Sequence, residues 1–306
     1  MKIYVPPIKC QGIKTKLVGW IKKYAELSSE GRWIEPFAGS GVVGFNIQPR
    51  RAVFADINPH VINFYNAIKS GHITALKAKA FLEQEGLLLS QKGEKHYYEV
   101  RDRFNEKGNP FDFLFLSRAC FNGVIRFNKK GRYNVPFGHK PERFSQAYVT
   151  KITNQIKYVE SAVKHYDWSF ICSDFRVVIK NCNDKDFLYC DPPYAGRHTD
   201  YFNSWSDKEE QELFDLLSST PAKFILSTWH SNKYRHNVML EKHSSQFLIL
   251  TKEHFYHVGA IEDNRNAMLE AIVLNYTPTR LQDQDTETLS KEVKQLRLLE
   301  KKAVYK

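Results

Sequence analysis

The spacing Gly39-Ser40-Gly41-Val42-Val43-Gly44 limits what this chain can fold into more than any other stretch. Residues 32–37, Arg-Trp-Ile-Glu-Pro-Phe, read as a short strand running into that loop. The residues after it open a short helix, and residues 51–57 read as a second strand ending in an acid, Asp56. A strand, a glycine loop, a helix and a strand in that order begin a parallel α/β sheet. Glycine lets the backbone turn tightly and approach a ligand closely. Asp56 at the end of the next strand can accept hydrogen bonds from ribose hydroxyls. This spacing alone fits a dinucleotide, S-adenosylmethionine or a structural turn. Glu35 favours the second, because a carboxylate repels a pyrophosphate and suits a cationic amino-acid end.

From residue 59 to about 165 the apolar spacing becomes helical, through 61–68, 76–89, 97–104 and 111–121. A hairpin-like stretch with a Lys-Gly-Arg turn at 130–132 breaks that run between Gly123 and Gly138. Strand signals return at 168–172, 187–190, 223–227, 247–250 and 268–275. The expected fold is therefore α/β, a Rossmann-like sheet carrying an inserted, mostly helical domain with a β-hairpin. Its boundaries are 1–58 and 166–278 for the sheet domain, 59–165 for the insert and 279–306 for a charged tail.

Asp191-Pro192-Pro193-Tyr194 follows the apolar run 187–190. In open α/β sheets, ligands bind beyond the carboxyl ends of strands. Two prolines fix successive φ angles and remove two amide donors, which leaves a stiff loop rich in acceptors. An exocyclic amine on a purine is a poor nucleophile, because its lone pair is delocalised into the ring. The Asp191 carboxylate and the Pro192 carbonyl would hold both amine hydrogens and favour a pyramidal nitrogen, while Tyr194 stacks on the purine. A plain turn ending a strand is the alternative.

At these residues the chain resembles the Dam family of adenine-N6 DNA methyltransferases, the α group in motif order, and within it the type II modification enzymes of the EcoRV type. The likeness runs to about residue 275. It is carried by 35–41, by Ser173-Asp174-Phe175, by Asp191–Tyr194, and by residues 121–128 with 133–138. Segments 11–17, 113–116, 197–205 and 252–260 add to it. The resemblance implies S-adenosylmethionine as cofactor, with S-adenosylhomocysteine as product. It would be held by Lys14, Glu35, Pro36, Phe37, Ala38, Gly39, Ser40, Gly41, Asp56, Ile57, Asp174, Phe175 and Asp191. The wider family has an aromatic residue where this chain has Cys10.

Chemistry on an amine inside a duplex requires the base to leave the stack, at a cost of a few kcal/mol. By resemblance, Phe121 and Asn122 brace the gap and Arg126 contacts a base, the side chain best shaped to grip guanine. Lys129, Lys130 and Arg132 suit phosphates. Asn128, Asn134, Pro136, His198 and Tyr201 complete the expected DNA-binding set. Charge agrees: of a net +11, the stretch from Arg118 to Arg143 holds seven Lys/Arg against one acid, Glu142. His254 and His257 read as structural or DNA-facing, since no further ligand completes a metal set.

Five scattered cysteines without a Cys-x-x-Cys pair argue against a zinc site or disulfide framework and for a reduced, cytoplasmic compartment. No run of about 18 apolar residues suggests a membrane span, and the N-terminus lacks a signal-peptide apolar core. The expected partner is double-stranded DNA, with no metal and no membrane. The expected protein is a monomer encoded by a bacterium or phage, with a restriction endonuclease as a possible companion and GATATC as the leading site. Alternatives are an orphan or phage enzyme acting on GATC, an RNA or protein amine methyltransferase, a nicotinamide-dependent oxidoreductase and a non-catalytic DNA-binding regulator.

Overall fold

The computed structural model describes residues 3–10, 12–128, 130–194, 205–231, 236–255 and 267–282. The chain opens with α1 (Val18–Tyr24), then β1 (Trp33–Glu35), α2 (Val42–Ile47) and β2 (Arg51–Asp56). Five helices follow: α3 (Pro59–Lys69), α4 (Ala75–Lys92), α5 (Glu94–Lys107), α6 (Pro110–Ala119) and α7 (Gln146–His165). The sheet resumes with β3 (Asp167–Cys172), α8 (Phe175–Lys180), β4 (Phe187–Cys190), α9 (Asp207–Ser219) and β5 (Lys223–Ser231). It ends with α10 (Val238–Lys242), β6 (Leu248–Phe255), β7 (Ala267–Leu274) and α11 (Thr279–Gln282).

The strands form one seven-stranded sheet in the order β3-β2-β1-β4-β5-β7-β6. The first five are parallel; β7 runs antiparallel to both β5 and β6. The expectation of a resumed parallel sheet therefore holds as far as β5, and a hairpin closes that side. The order reverses at β1, which pairs with β2 on one side and β4 on the other. Trp33 lies opposite Ala52 on β2 and Phe187 on β4.

Alternation along these short strands sends side chains to two cores. Trp33, Phe54, Trp168, Phe187 and Tyr189 join the larger one, which also takes in α2, α3 and the helical insert. Ile34, Ala55, Leu188 and Cys190 join α8 and α9 on the opposite face. All four residues of β4 are buried, as a central parallel strand requires. Helix caps follow local chemistry. Asn58, Thr74, Asn109 and Asp174 accept backbone N–H bonds at the starts of α3, α4, α6 and α8, and Ser206 with Glu209 forms a capping box on α9.

The stretch between Gly123 and Gly138 takes the expected hairpin-like course, with Phe127 and Tyr133 paired antiparallel across the turn. The pairing is short: the Asn128 N–H donates to the Arg132 carbonyl and the Asn134 N–H to the Arg126 carbonyl on either side of that bridge, and Cys120 bridges Phe137 further along. Its backbone is tied to α5 as well: the Asn105 side chain bonds the Tyr133 N–H and carbonyl, and the Tyr97 hydroxyl donates to the Val135 carbonyl. Packing on α5 thus reinforces a short cross-strand pairing.

Phe45, 1% exposed, sits one turn into α2. It stacks on Trp168 at 5.3 Å and meets Phe54, Tyr65 and Phe170 edge-on. Because α2 carries the glycine loop, this ring anchors the loop to the core. Phe45→Ala is expected to cost about 3–5 kcal/mol, seen as a lower urea midpoint with an unchanged slope. A midpoint within error of wild type would show that the cluster is not the anchor.

Candidate active site

The glycine loop and the Asp191 loop leave the carboxyl ends of β1 and β4, which are adjacent strands, so the reversal of strand order brings them together. Gly39 and Gly41 have φ of 48° and 70°, where side chains other than glycine are strained. A Cβ on Gly39 would meet nothing nearer than Cys10, at 4.0 Å, so its surroundings are open. Gly44 serves packing instead: a Cβ there would lie 2.5 Å from the Phe54 ring and 2.7 Å from Glu35 Oε1.

Two carboxyl groups fasten the loop. The Gly39 N–H donates to Asp56 Oδ2 at 2.8 Å, and the Asn58 N–H donates to Oδ1 at 2.8 Å. Glu35, 2% exposed, accepts from Trp33 Nε1 at 2.9 Å and from the Gly44 N–H at 2.6 Å, both on Oε1. Burial pushes the Glu35 carboxyl up to about 8, against the pull of those two donors. Burial raises the Asp56 carboxyl too. Both acids thus have structural partners that the sequence did not reveal, alongside the roles expected of them toward a ligand.

Pro36, Phe37, Ala38 and Ser40 lie along the same loop. The Ser40 carbonyl accepts from the Tyr65 hydroxyl at 2.6 Å. Phe37 stacks on Phe175 at 5.2 Å, and Trp205 meets Phe37 edge-on at 5.5 Å. Asp174 caps α8 through the Arg176 N–H and also binds the Arg176 guanidinium at 2.9 Å. Ile57, 40% exposed, follows β2. These residues line the carboxyl ends of β1, β2 and β3. The open surroundings of Gly39, an aromatic pair and carboxylates suit the methionine and adenosine parts of S-adenosylmethionine.

The Asp191 loop is more tightly held than its sequence implies. Lys14 Nζ lies 2.7 Å from Asp191 Oδ1 in an ion pair. The same ammonium lies 4.9 Å from the Tyr194 ring centroid. Lys14 is 5% exposed, while Asp191 keeps 22% of its side-chain surface open. Burial raises the Asp191 carboxyl and Lys14 pulls it back. The Tyr194 hydroxyl donates to Glu270 Oε2 at 2.8 Å, and Glu270 is fully buried. Lys14 entered the sequence reading only by resemblance, and Glu270 not at all. Its signal was a lone charge inside the apolar stretch 267–274.

The expected DNA-binding residues divide. Phe121 is 47% exposed beside Asn122, whose φ is 53°, at the end of α6. Arg126 Nε donates to Asn134 Oδ1 at 2.9 Å, so these two residues are coupled. Asn128 Oδ1 accepts from the Lys130 and Arg132 N–H groups and so shapes the turn that presents them. The Pro136 carbonyl accepts from the Phe121 N–H. Lys130 and Arg132 are exposed. Lys129, His198, Tyr201 and His257 lie outside the described residues, and His254 falls at the end of β6 opposite Met268.

Arg118 corrects the charge reading. It is 3% exposed, with its guanidinium donating to the Pro6 and Pro7 carbonyls and to Gln155 Oε1. It ties the N-terminal segment to α7 and does not belong to a basic surface. Arg143 is likewise engaged, donating to the Arg118 carbonyl and the Tyr148 hydroxyl. Among the described residues no group of three or more His, Cys, Asp or Glu could hold a metal ion, and no helix is long and apolar enough to cross a membrane.

The profile of the D12 class N6 adenine-specific DNA methyltransferases matches residues 11–258. The chain is 32% identical over 241 residues to a DNA adenine methylase of Haemophilus influenzae, covering 74% of this chain and 79% of that one. It is 30% identical over 249 residues to the type II methyltransferase M.MjaIII of Methanocaldococcus jannaschii, covering 72% and 83%. It is 28% identical over 255 residues to the type II methyltransferase M.FokI of Planomicrobium okeanokoites. That match covers 80% of this chain but spans only 39% of the relative's length. The chain belongs to the D12 class N6 adenine-specific DNA methyltransferase family.

The Glu35 carboxyl makes a stability prediction with a definite sign. Its folded value, about 8, lies above the ordinary 4.5, so the native state holds the proton more tightly than the unfolded chain. The contribution is full below 4.5 and is lost as pH climbs through about 8. Glu35→Gln keeps an oxygen acceptor for Trp33 and Gly44 without the ionisation. Urea midpoints of the variant are expected to fall less than those of wild type between pH 5 and 9. Parallel curves would mean that Glu35 ionises as an exposed acid does.

Proposed function

We propose that this member of the D12 class methylates the N6 amine of an adenine that has left the duplex stack, with S-adenosylmethionine as donor. The observation that carries the reading is the Asp191 carboxylate. It is partly open, is paired at 2.7 Å with buried Lys14, and stands at the end of the strand next to the glycine loop.

The chain's own groups have separable tasks. Asp191 and the Pro192 carbonyl accept the two amine hydrogens and draw the nitrogen lone pair out of conjugation. Pro192 and Pro193 keep those acceptors from moving. Tyr194 offers its ring to the purine face. Lys14 favours ionised Asp191, the form that can accept, although burial opposes it. Gly39, Gly41, Phe37, Asp56 and Asp174 would hold the cofactor, with Glu35 and Lys14 nearest the two reactive loops. When bound, S-adenosylmethionine supplies an electrophilic methyl group on a sulfonium and leaves as S-adenosylhomocysteine. The amine proton passes to Asp191 or water.

On the DNA side, the insert 59–165 is read as the target-recognition part, with the sheet portions 1–58 and 166–278 as the catalytic part. Exposed Phe121 and Asn122 brace the gap, Arg126 oriented by Asn134 reads a base, and Lys130 and Arg132 take phosphates. The α-group placement, the likeness to EcoRV-type enzymes and a GATATC site belong to this proposal. So do a restriction-modification role, a monomeric state and a cytoplasmic location.

Asp191→Ala is expected to abolish transfer of tritiated methyl to duplex DNA while leaving S-adenosylmethionine binding by calorimetry nearly intact. A variant retaining more than about a tenth of the rate, where removal of a positioned catalytic group typically costs 10²–10⁴-fold, would contradict the role given to Asp191. Transfer to RNA or protein but not DNA would contradict the substrate.

Lys14→Gln removes the cation that holds the Asp191 carboxyl down. The acid limb of kcat/KM is therefore expected to move to higher pH in the variant. A limb at the wild-type position would separate Lys14 from the ionisation of Asp191.

A further inference from the structure

Glu270 is fully buried on β7, where it shares a face with Ile272 and Leu274 of the large core. Because β7 runs antiparallel, its N-terminal half lies beside the carboxyl end of β5, with Glu270 opposite Trp229. That placement delivers a carboxyl group from the far end of the chain to the Asp191 loop. Burying a carboxylate in a strand is costly unless a donor meets it. Here the Tyr194 hydroxyl does so at 2.8 Å, from the last residue of the Asp-Pro-Pro-Tyr loop.

The geometry defines what this contact controls. A tyrosine ring free to rotate would offer a base its edge as readily as its face. Tyr194 is held at two points, by the hydroxyl on Glu270 and by the Lys14 ammonium 4.9 Å from the ring centroid. Lys14 in turn pairs with Asp191, so the ring that stacks and the carboxylate that accepts are set by one connected group of side chains. An apolar residue at 270 would suit the core better than an acid, yet would leave the Tyr194 hydroxyl without this acceptor.

We propose that Glu270 is a positioning residue for methyl transfer, acting through the Tyr194 hydroxyl to fix the ring that stacks on the extruded adenine. This inference rests on the adenine-methylating reading above. Glu270 touches neither base nor cofactor in this role, and its hydrogen bond acts through Tyr194. Glutamine at 270 keeps an oxygen for the same hydroxyl, whereas alanine does not. Tyr194→Phe breaks the same bond from the other side and keeps an aromatic ring at 194, no longer tethered to Glu270.

The test measures steady-state methyl transfer to a duplex alongside fluorescence lifetimes of 2-aminopurine in place of the target adenine. An extruded 2-aminopurine is bright when free and quenched when stacked on an aromatic ring. Wild type and Glu270→Gln are expected to show a short-lived, stacked population and similar rates. Glu270→Ala and Tyr194→Phe are expected to lower kcat about 10- to 100-fold, as small misplacements do, and to lengthen the lifetime. KM for S-adenosylmethionine should stay within about twofold. The double variant should be no worse than either single one. Independent, multiplying losses, or a Glu270→Ala lifetime identical to wild type, would overturn the proposal alone. Should Glu270→Ala not fold, Glu270→Gln and Tyr194→Phe still decide it, since an unaltered Tyr194→Phe enzyme contradicts it. Wild-type protein that neither methylates adenine nor extrudes the probe would overturn the functional reading and this inference with it.

Discussion

The pairing of β1 with β4 is the constraint from which the site follows. A parallel strand has two edges, and β1 gives one to β2 and the other to β4. The glycine loop and the Asp191 loop are some 150 residues apart in sequence, yet they leave neighbouring strands at the same end of the sheet. The register Trp33 opposite Phe187 also stacks those two rings at 5.3 Å, so the contact that aligns the loops is part of the core. A large apolar cluster thus fixes two polar loops at no cost to their own chemistry.

Buried charge is the second theme. Lys14, Glu35, Arg118 and Glu270 are each no more than 5% exposed, and an ion without partners would not be tolerated there. Arg118 is answered by carbonyls and has a structural task. Lys14 and Glu270 are answered by the two ends of one tetrapeptide, Asp191 and Tyr194. A buried ion pair such as Lys14–Asp191 contributes little net stability compared with apolar residues of the same shape, and a buried hydrogen bond such as Tyr194–Glu270 a modest amount. Their value lies in geometry: each partner narrows the orientations open to a group that must meet the base.

The sequence made the local chemistry legible and the pairing of distant groups illegible. The glycine spacing and the Asp-Pro-Pro-Tyr run carry their conformational consequences within a few residues, so the loops and their strands could be read directly. Arg118 could not: a count of charges between 118 and 143 says nothing of which guanidinium turns inward to bind proline carbonyls. The stretch around the Lys-Gly-Arg turn was legible as a hairpin because turn residues flank apolar ones, but the bonds from α5 that fix it were not. Glu270 passed unread, although it is a lone charge within an apolar stretch: its partner lies 76 positions earlier, and only the antiparallel course of β7 brings them together.

The central claim is that the Asp191 carboxylate and Pro192 carbonyl grip an adenine amine facing a methyl sulfonium. A crystal structure with S-adenosylhomocysteine and a duplex carrying the methylated site tests it most directly. The account predicts an extrahelical adenine with its N6 within hydrogen-bond distance of Asp191 and Pro192 and its face against Tyr194. An adenine still stacked in the duplex, or residues 191–194 turned away from the cofactor sulfur, would contradict it.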